Sequence, residues 1–184
     1  MVFHLNLSKA IQAAGVLLKD APGHSMDRIR LIKLLYIAER ESFRERGEPI
    51  TGDRIVAMEH GPVLSCVYDC IKGEGPRKSC AQWNAFFVSR GNTVEMQNNP
   101  EDGDLSDREI ATLKRVAAER YNKIQWEIVD ETHHFQEWID HNPGKSSRPI
   151  PFEDILAAIG RNAEGDLEEA KEWAEWDSVL EGCL

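Results

Sequence analysis

The sequence predicts a mainly α-helical fold with a minor β component, a compact domain of about seven helices carrying one short strand and one small hairpin. Three observations predict it. Apolar residues recur at steps of three, four and seven through most of the chain, the period of helices with one buried face. Alternating, β-branched patterns are confined to residues 54–58 and 85–97. Gly, Pro and Asn clusters punctuate these stretches at short intervals, so the connections are turns rather than linkers. The length of 184 residues suits one domain with at most an appendage, and 41% hydrophobic residues suffice for a core.

The elements follow in order. Leu7, Ile11, Ala14 and Leu18 set a first helix over about residues 7–19, ended by Ala21-Pro22-Gly23. From about Met26 to Arg46, Ile29, Ile32, Tyr36 and Phe43 form a stripe that Leu31, Leu34, Leu35 and Ala38 widen almost all round, the mark of a central core helix. Its flanks hold Arg28, Arg30, Lys33, Arg40, Arg44 and Arg46, read as a locally basic surface. After the turn-rich Gly47 to Asp53, Arg54–Met58 reads as a strand, and His60-Gly61-Pro62 as the corner that opens a third helix with Pro62 at its first position. Val63, Leu64, Val67, Tyr68 and Ile71 give that helix its buried face, and Gly73 to Pro76 stop it.

Ala85 to Gln97 reads as a hairpin turned at Gly91-Asn92, a register that sets Phe87 opposite Met96 and Ser89 opposite Val94. Ser106 and Glu109 spell a capping box, with Leu105 and Ile110 placed for a hydrophobic staple, before the stripe Ile110, Leu113, Val116, Ala117. A single helix is expected from about Ile124 to Ile139, a loop over residues 141–151, and a core helix through Phe152, Ile155, Leu156 and Ile159. Residues 1–160 are thus the main domain. Residues 161–184 form a separate acidic amphipathic helix bearing Trp173 and Trp176, packed on the domain or extending it.

Charge and motifs narrow the function. The net charge of −10 argues against nucleic acid as the main partner, because an acidic body repels phosphates. Much of the excess sits in residues 161–184, where eight acidic residues face two basic ones. A basic helix beside a strand and hairpin could mimic a winged helix, but residues 63–71 hold no basic side chain to read DNA. No apolar run spans a membrane and no basic region precedes the apolar N-terminal residues, so a cytoplasmic protein is expected. Four cysteines lack zinc-ligand spacing, and they read as buried or idle thiols. No nucleophile elbow, phosphate loop or metalloprotease helix is present, and no catalytic, cofactor-binding or metal-binding set is expected. Adjacent His133 and His134 point about 100° apart on a helix. His60 reads as a side chain bonded to nearby backbone.

Against that background, Lys33-Leu34-Leu35-Tyr36-Ile37-Ala38-Glu39-Arg40, then Pro49-Ile50-Thr51-Gly52-Asp53, a strand, and His60-Gly61-Pro62-Val63 resemble the Panacea domain of the SocA-like antitoxins. Many of that family's members carry the label phage-associated protein. Thr132-His133 resembles the family's later Thr-His element, and Pro149 to Ile155 its closing segment, so the likeness runs over roughly residues 7–160. The resemblance implies a non-enzymatic antitoxin of a toxin–antitoxin system, whose partner is a cognate toxin protein bound directly. Related systems imply two alternatives: an adaptor that hands the toxin to a cytoplasmic protease, or a DNA-binding regulator. A single helix before the motif block leaves little room here for the DNA-binding domain some members carry. The motif residues Lys33, Leu34, Leu35, Tyr36, Pro49, Thr51, Gly52, Asp53, His60, Gly61, Pro62, Thr132 and His133 are expected to be mainly structural. Partner contacts are expected at Trp173, Trp176, Arg40 and Arg44, since Trp and Arg dominate interface energetics.

Overall fold

The computed structural model describes residues 3–142 and 144–161, so the predicted acidic helix, with Trp173 and Trp176, lies outside the described residues. Among the described residues there are eight α-helices and two small three-stranded antiparallel sheets, a mainly α fold with minor β. Helix α1 (Leu7–Lys19) starts at the Asn6 cap, whose side chain accepts from the Lys9 N–H, and buries every residue from Ala10 to Leu18. Helix α2 (Arg28–Arg46) is the axis of the molecule. Asp27 caps it through the Ile29 and Arg30 N–H groups, and Gly47 ends it in the left-handed conformation. Leu31 to Arg40 are all buried because α1, α5 (Asp107–Glu119), α6 (Gln125–His133) and α8 (Phe152–Ala158) surround this helix.

The first sheet has the order β1-β5-β4, from Ser25–Asp27, Thr93–Met96 and Phe87–Arg90. Its hairpin has the expected register, Phe87 opposite Met96 and Ser89 opposite Val94. Phe87 and Val94 enter the core, and Trp83 packs on Phe87 at 4.5 Å. Trp83 belongs to α4 (Arg77–Asn84), a helix the sequence reading passed over because Trp83 is its only buried side chain. The short β1 was missed too: it takes the residues just before α2 and pairs Met26 with Val94.

The second sheet has the order β3-β2-β6, from Gly61–Leu64, Ile55–Met58 and Arg148–Pro149. Here the expectation for Pro62 is corrected. Pro62 opens no helix but lies in strand β3, opposite Ala57, and α3 begins only at Ser65 and runs to Lys72. An edge strand tolerates the missing N–H. The two-residue turn Glu59-His60 closes a hairpin with β2, which gathers Val63 and Leu64 into the core as strand residues rather than helical ones. The expected loop over residues 141–151 holds β6, which pairs Pro149 with Val56 and Arg148 with Ala57.

The single helix expected over residues 124–139 is two. Helix α6 stops at His133, and α7 (Gln136–Asp140) restarts after Phe135. Beyond the break Glu137 and Trp138 turn inward, and Ile124 and Ile139 lie at the surface, 59% and 48% exposed. Helix α5 keeps the full capping box: Ser106 Oγ accepts from the Glu109 N–H, and Glu109 accepts from the Ser106 N–H. Arg30 donates to the carbonyls of Arg120 and Lys123, so it clamps the far end of α5 onto α2.

Candidate interaction site

The motif residues converge on one face of α2 and on the second sheet. Lys33, Tyr36, Glu39 and Arg40 are buried polar side chains of α2 that bond to other elements, two of them to the same carboxylate. Lys33, 2% exposed, donates from Nζ to the Pro62 carbonyl at 2.8 Å. Burial pushes its pKa from 10.5 down to about 7. Tyr36 donates its hydroxyl to Glu137 Oε1 at 2.7 Å. Burial, and then the Glu137 charge, hold that phenol protonated far above its usual range. Arg40 meets the same oxygen through Nε at 2.6 Å while its guanidinium lies 4.1 Å over the Phe135 ring.

Glu39 completes the set. Its carboxylate accepts from the Ile50 N–H at 2.5 Å, the Thr51 N–H at 3.0 Å and the Thr51 hydroxyl at 2.6 Å. Burial outweighs these donors and raises its pKa to about 7. The Pro49 to Asp53 turn is therefore threaded onto α2 by one side chain. Asp53 carries the connection onward: its carboxylate accepts from the Cys66 N–H at 2.9 Å and the Val67 N–H at 3.1 Å, capping α3 from a distance. Gly52, at φ +64°, lies against the His4 backbone carbonyl where no side chain fits.

Gly61 does the same at the hairpin corner. At φ +94°, an added Cβ would meet Thr132 Oγ1 and come within 2.9 Å of Lys33 Nζ. Thr132 in turn donates to the Val129 carbonyl at 2.8 Å, so α2, β3 and α6 touch at one glycine. Trp138 donates from Nε1 to the Met58 carbonyl at 3.0 Å, and His133 stacks on it with centroids 4.1 Å apart. Burial, aided by the Lys33 charge, lowers the His133 pKa. The ring of His60 does not bond nearby backbone as expected. Its described contact is with the edge of Trp126, at 5.5 Å.

Outside this network a cavity of about 270 Å³ opens between the first turns of α2, the β2–β3 hairpin and α3. Lys33 lines it from within, and Arg28, Lys72 and Lys145 lie around it. A hollow of about 210 Å³ shares Met58, Val63 and Tyr68 with it and extends toward Arg54. Among the described residues no group of three or more His, Cys, Asp or Glu side chains is arranged to hold a metal ion. Cys70 and Cys80 bring their sulfurs to 3.8 Å as free thiols, and burial pushes the Cys70 thiol pKa well above its usual value.

The family model described as antitoxin SocA-like, Panacea domain, matches residues 31–139, more than half of the chain. The chain belongs to this family. The match takes in the whole buried network, from Lys33 through Asp53 and Gly61 to Glu137, while the Pro149 to Ile155 likeness lies beyond it. No curated protein and no solved structure matches the chain.

For this SocA-like chain the placements of the expected partner residues differ. Arg40 is not on the surface: at 7% exposure it is held by Glu137. Lys33 likewise leaves the presumed basic flank for the core. Arg44 is half-exposed and pairs with Glu41 at 2.8 Å. Trp173 and Trp176 lie outside the described residues. Glu39 stands in the motif run but was given no role by the sequence reading, which passed over Glu137, the other acceptor of the network, and the cavity around Lys33. For Glu39 a signal existed, a carboxylate directly after the eight-residue apolar-rich run from Leu31 to Ala38.

Proposed function

We propose that this chain is an antitoxin that binds a protein toxin encoded beside it and neutralises it by occupancy rather than turnover, in the cytoplasm. The observation that carries the reading is the family match over residues 31–139. The geometry is consistent with it. Apart from the exposed His60, most of the motif's polar side chains are turned inward and bonded to backbone or to other buried side chains, which suits a binding scaffold and leaves contact with a partner to the surface. Two other facts fit: no described helix is long and apolar enough to cross a membrane, and the net charge of −10 disfavours a phosphate backbone as partner.

On this reading Trp173, Trp176 and Arg44 supply the partner contacts, and Arg40 acts indirectly by holding α7 through Glu137. Charge complementarity then speeds encounter while buried aromatics set the lifetime of the complex. Co-purification of the tagged chain with the product of the neighbouring gene tests the proposal. Retention by the wild type and loss in Trp173→Ala with Trp176→Ala is the expected result, and no retention by the wild type overturns it. Following the toxin's half-life in the same cells separates masking, which leaves it unchanged, from delivery to a protease, which shortens it.

A further inference from the structure

The cavity beside α2 has two kinds of wall. Ile29, Ile32, Val63 and Ile71 make an apolar floor. Arg28, Lys72 and Lys145 surround it with positive charge, and the Lys33 amine lines it from below. Lys33 has its one described hydrogen bond to the Pro62 carbonyl and no carboxylate partner among the described residues. Glu59 is the lining's lone acidic side chain, so this wall is cationic in a chain of net charge −10. Lys72 also meets Glu74 at 2.7 Å, a solvent-exposed pair that an incoming carboxylate can replace at little cost.

Such a surface fits carboxylates alternating with aromatic or aliphatic side chains. Residues 162–184 have that composition: eight acidic residues against one lysine, interspersed with Trp173, Trp176, Val179 and Leu180. They also start within reach. Arg161 donates to the Phe43 and Arg44 carbonyls at the far end of α2, tethering the start of the segment there. From Arg44 back to Lys33 is about 16 Å of helix at 1.5 Å per residue, and the segment spans about twice that even if wholly helical. We infer that the cavity is a docking site for an acidic, aromatic peptide, and that its occupant in the isolated protein is this chain's own segment 162–184. The toxin is then a competitor for the site or binds elsewhere, and the inference stands whichever holds.

Zero-length carbodiimide coupling of the full chain, which joins lysine amines to carboxylates in contact, tests this by mass spectrometry of the monomer. Lys72 and Lys145 are expected to couple to carboxylates between Glu164 and Glu181. Arg28→Glu with Lys145→Glu, both at the rim, is expected to lower the Lys72 product about tenfold with the circular dichroism unchanged. Coupling spread evenly over Lys19, Lys78 and Lys114, or absent altogether, overturns the inference. Coupling found only between two copies overturns it as well, because the occupant is then a second molecule.

Discussion

Lys33 and Glu39 bury ionisable groups whose proton balances run in opposite directions. Folding raises the Glu39 pKa from 4.5 to about 7, so its favourable contribution is complete below pH 4.5 and is lost as pH rises to 7. Folding lowers the Lys33 pKa from 10.5 to about 7, so its contribution is complete above pH 10.5 and is lost as pH falls to 7. Urea midpoints measured from pH 4 to pH 10 should therefore lose part of their fall between pH 4.5 and 7 in Glu39→Gln, and part of their rise above pH 7 in Lys33→Met. Arg40 and Glu137 behave as a pair. Glu137→Ala should cost about 3–5 kcal/mol in denaturant unfolding because it strands a buried guanidinium. Arg40→Met with Glu137→Gln should recover most of that loss, since neither charge is then left alone and the Tyr36 hydroxyl keeps an acceptor. Gly61→Ala combines φ +94° with a clash on Thr132 and should lower stability by about 1–3 kcal/mol.

Among the elements, those written by local chemistry were legible and those decided by distant partners were not. Helix α1, the central α2, the Phe87–Met96 hairpin and the α5 capping box each carry a period, a cap or a turn in their own residues. Strand β3 does not. Pro62 suits the first turn of a helix and an edge strand equally, and pairing with β2 decides between them. The break after His133 was hidden because Ile124, Ile128, Thr132, Phe135 and Ile139 keep helical spacing across it. Across that break, Glu137 of α7 meets Tyr36 and Arg40. Two cap substitutions separate local from long-range control. Ser106→Ala should cost about 1 kcal/mol, read as a urea midpoint shift. Asp53→Ala should cost about 2 kcal/mol or more, because the Cys66 and Val67 N–H groups lose a buried partner from another element. Hydrogen exchange should then quicken first in α3.

Across the whole molecule, the motif's turn-forming residues were legible before the partners that hold them. Thr51, Gly52, Asp53 and Gly61 are residue types that fix turns, whereas their anchors on α2 and α6 are set by the folded chain. The cavity around Lys33 needed three elements to meet, so the sequence offered only a basic flank, part of which proved to be core. On the proposed reading the protein acts through its surface, with its motif as internal bracing. The most direct test is growth of cells expressing the neighbouring gene alone, then together with this chain. The account predicts arrest in the first case and restored growth in the second. A neighbour that is harmless alone, or arrest that persists with this chain folded and abundant, would contradict it.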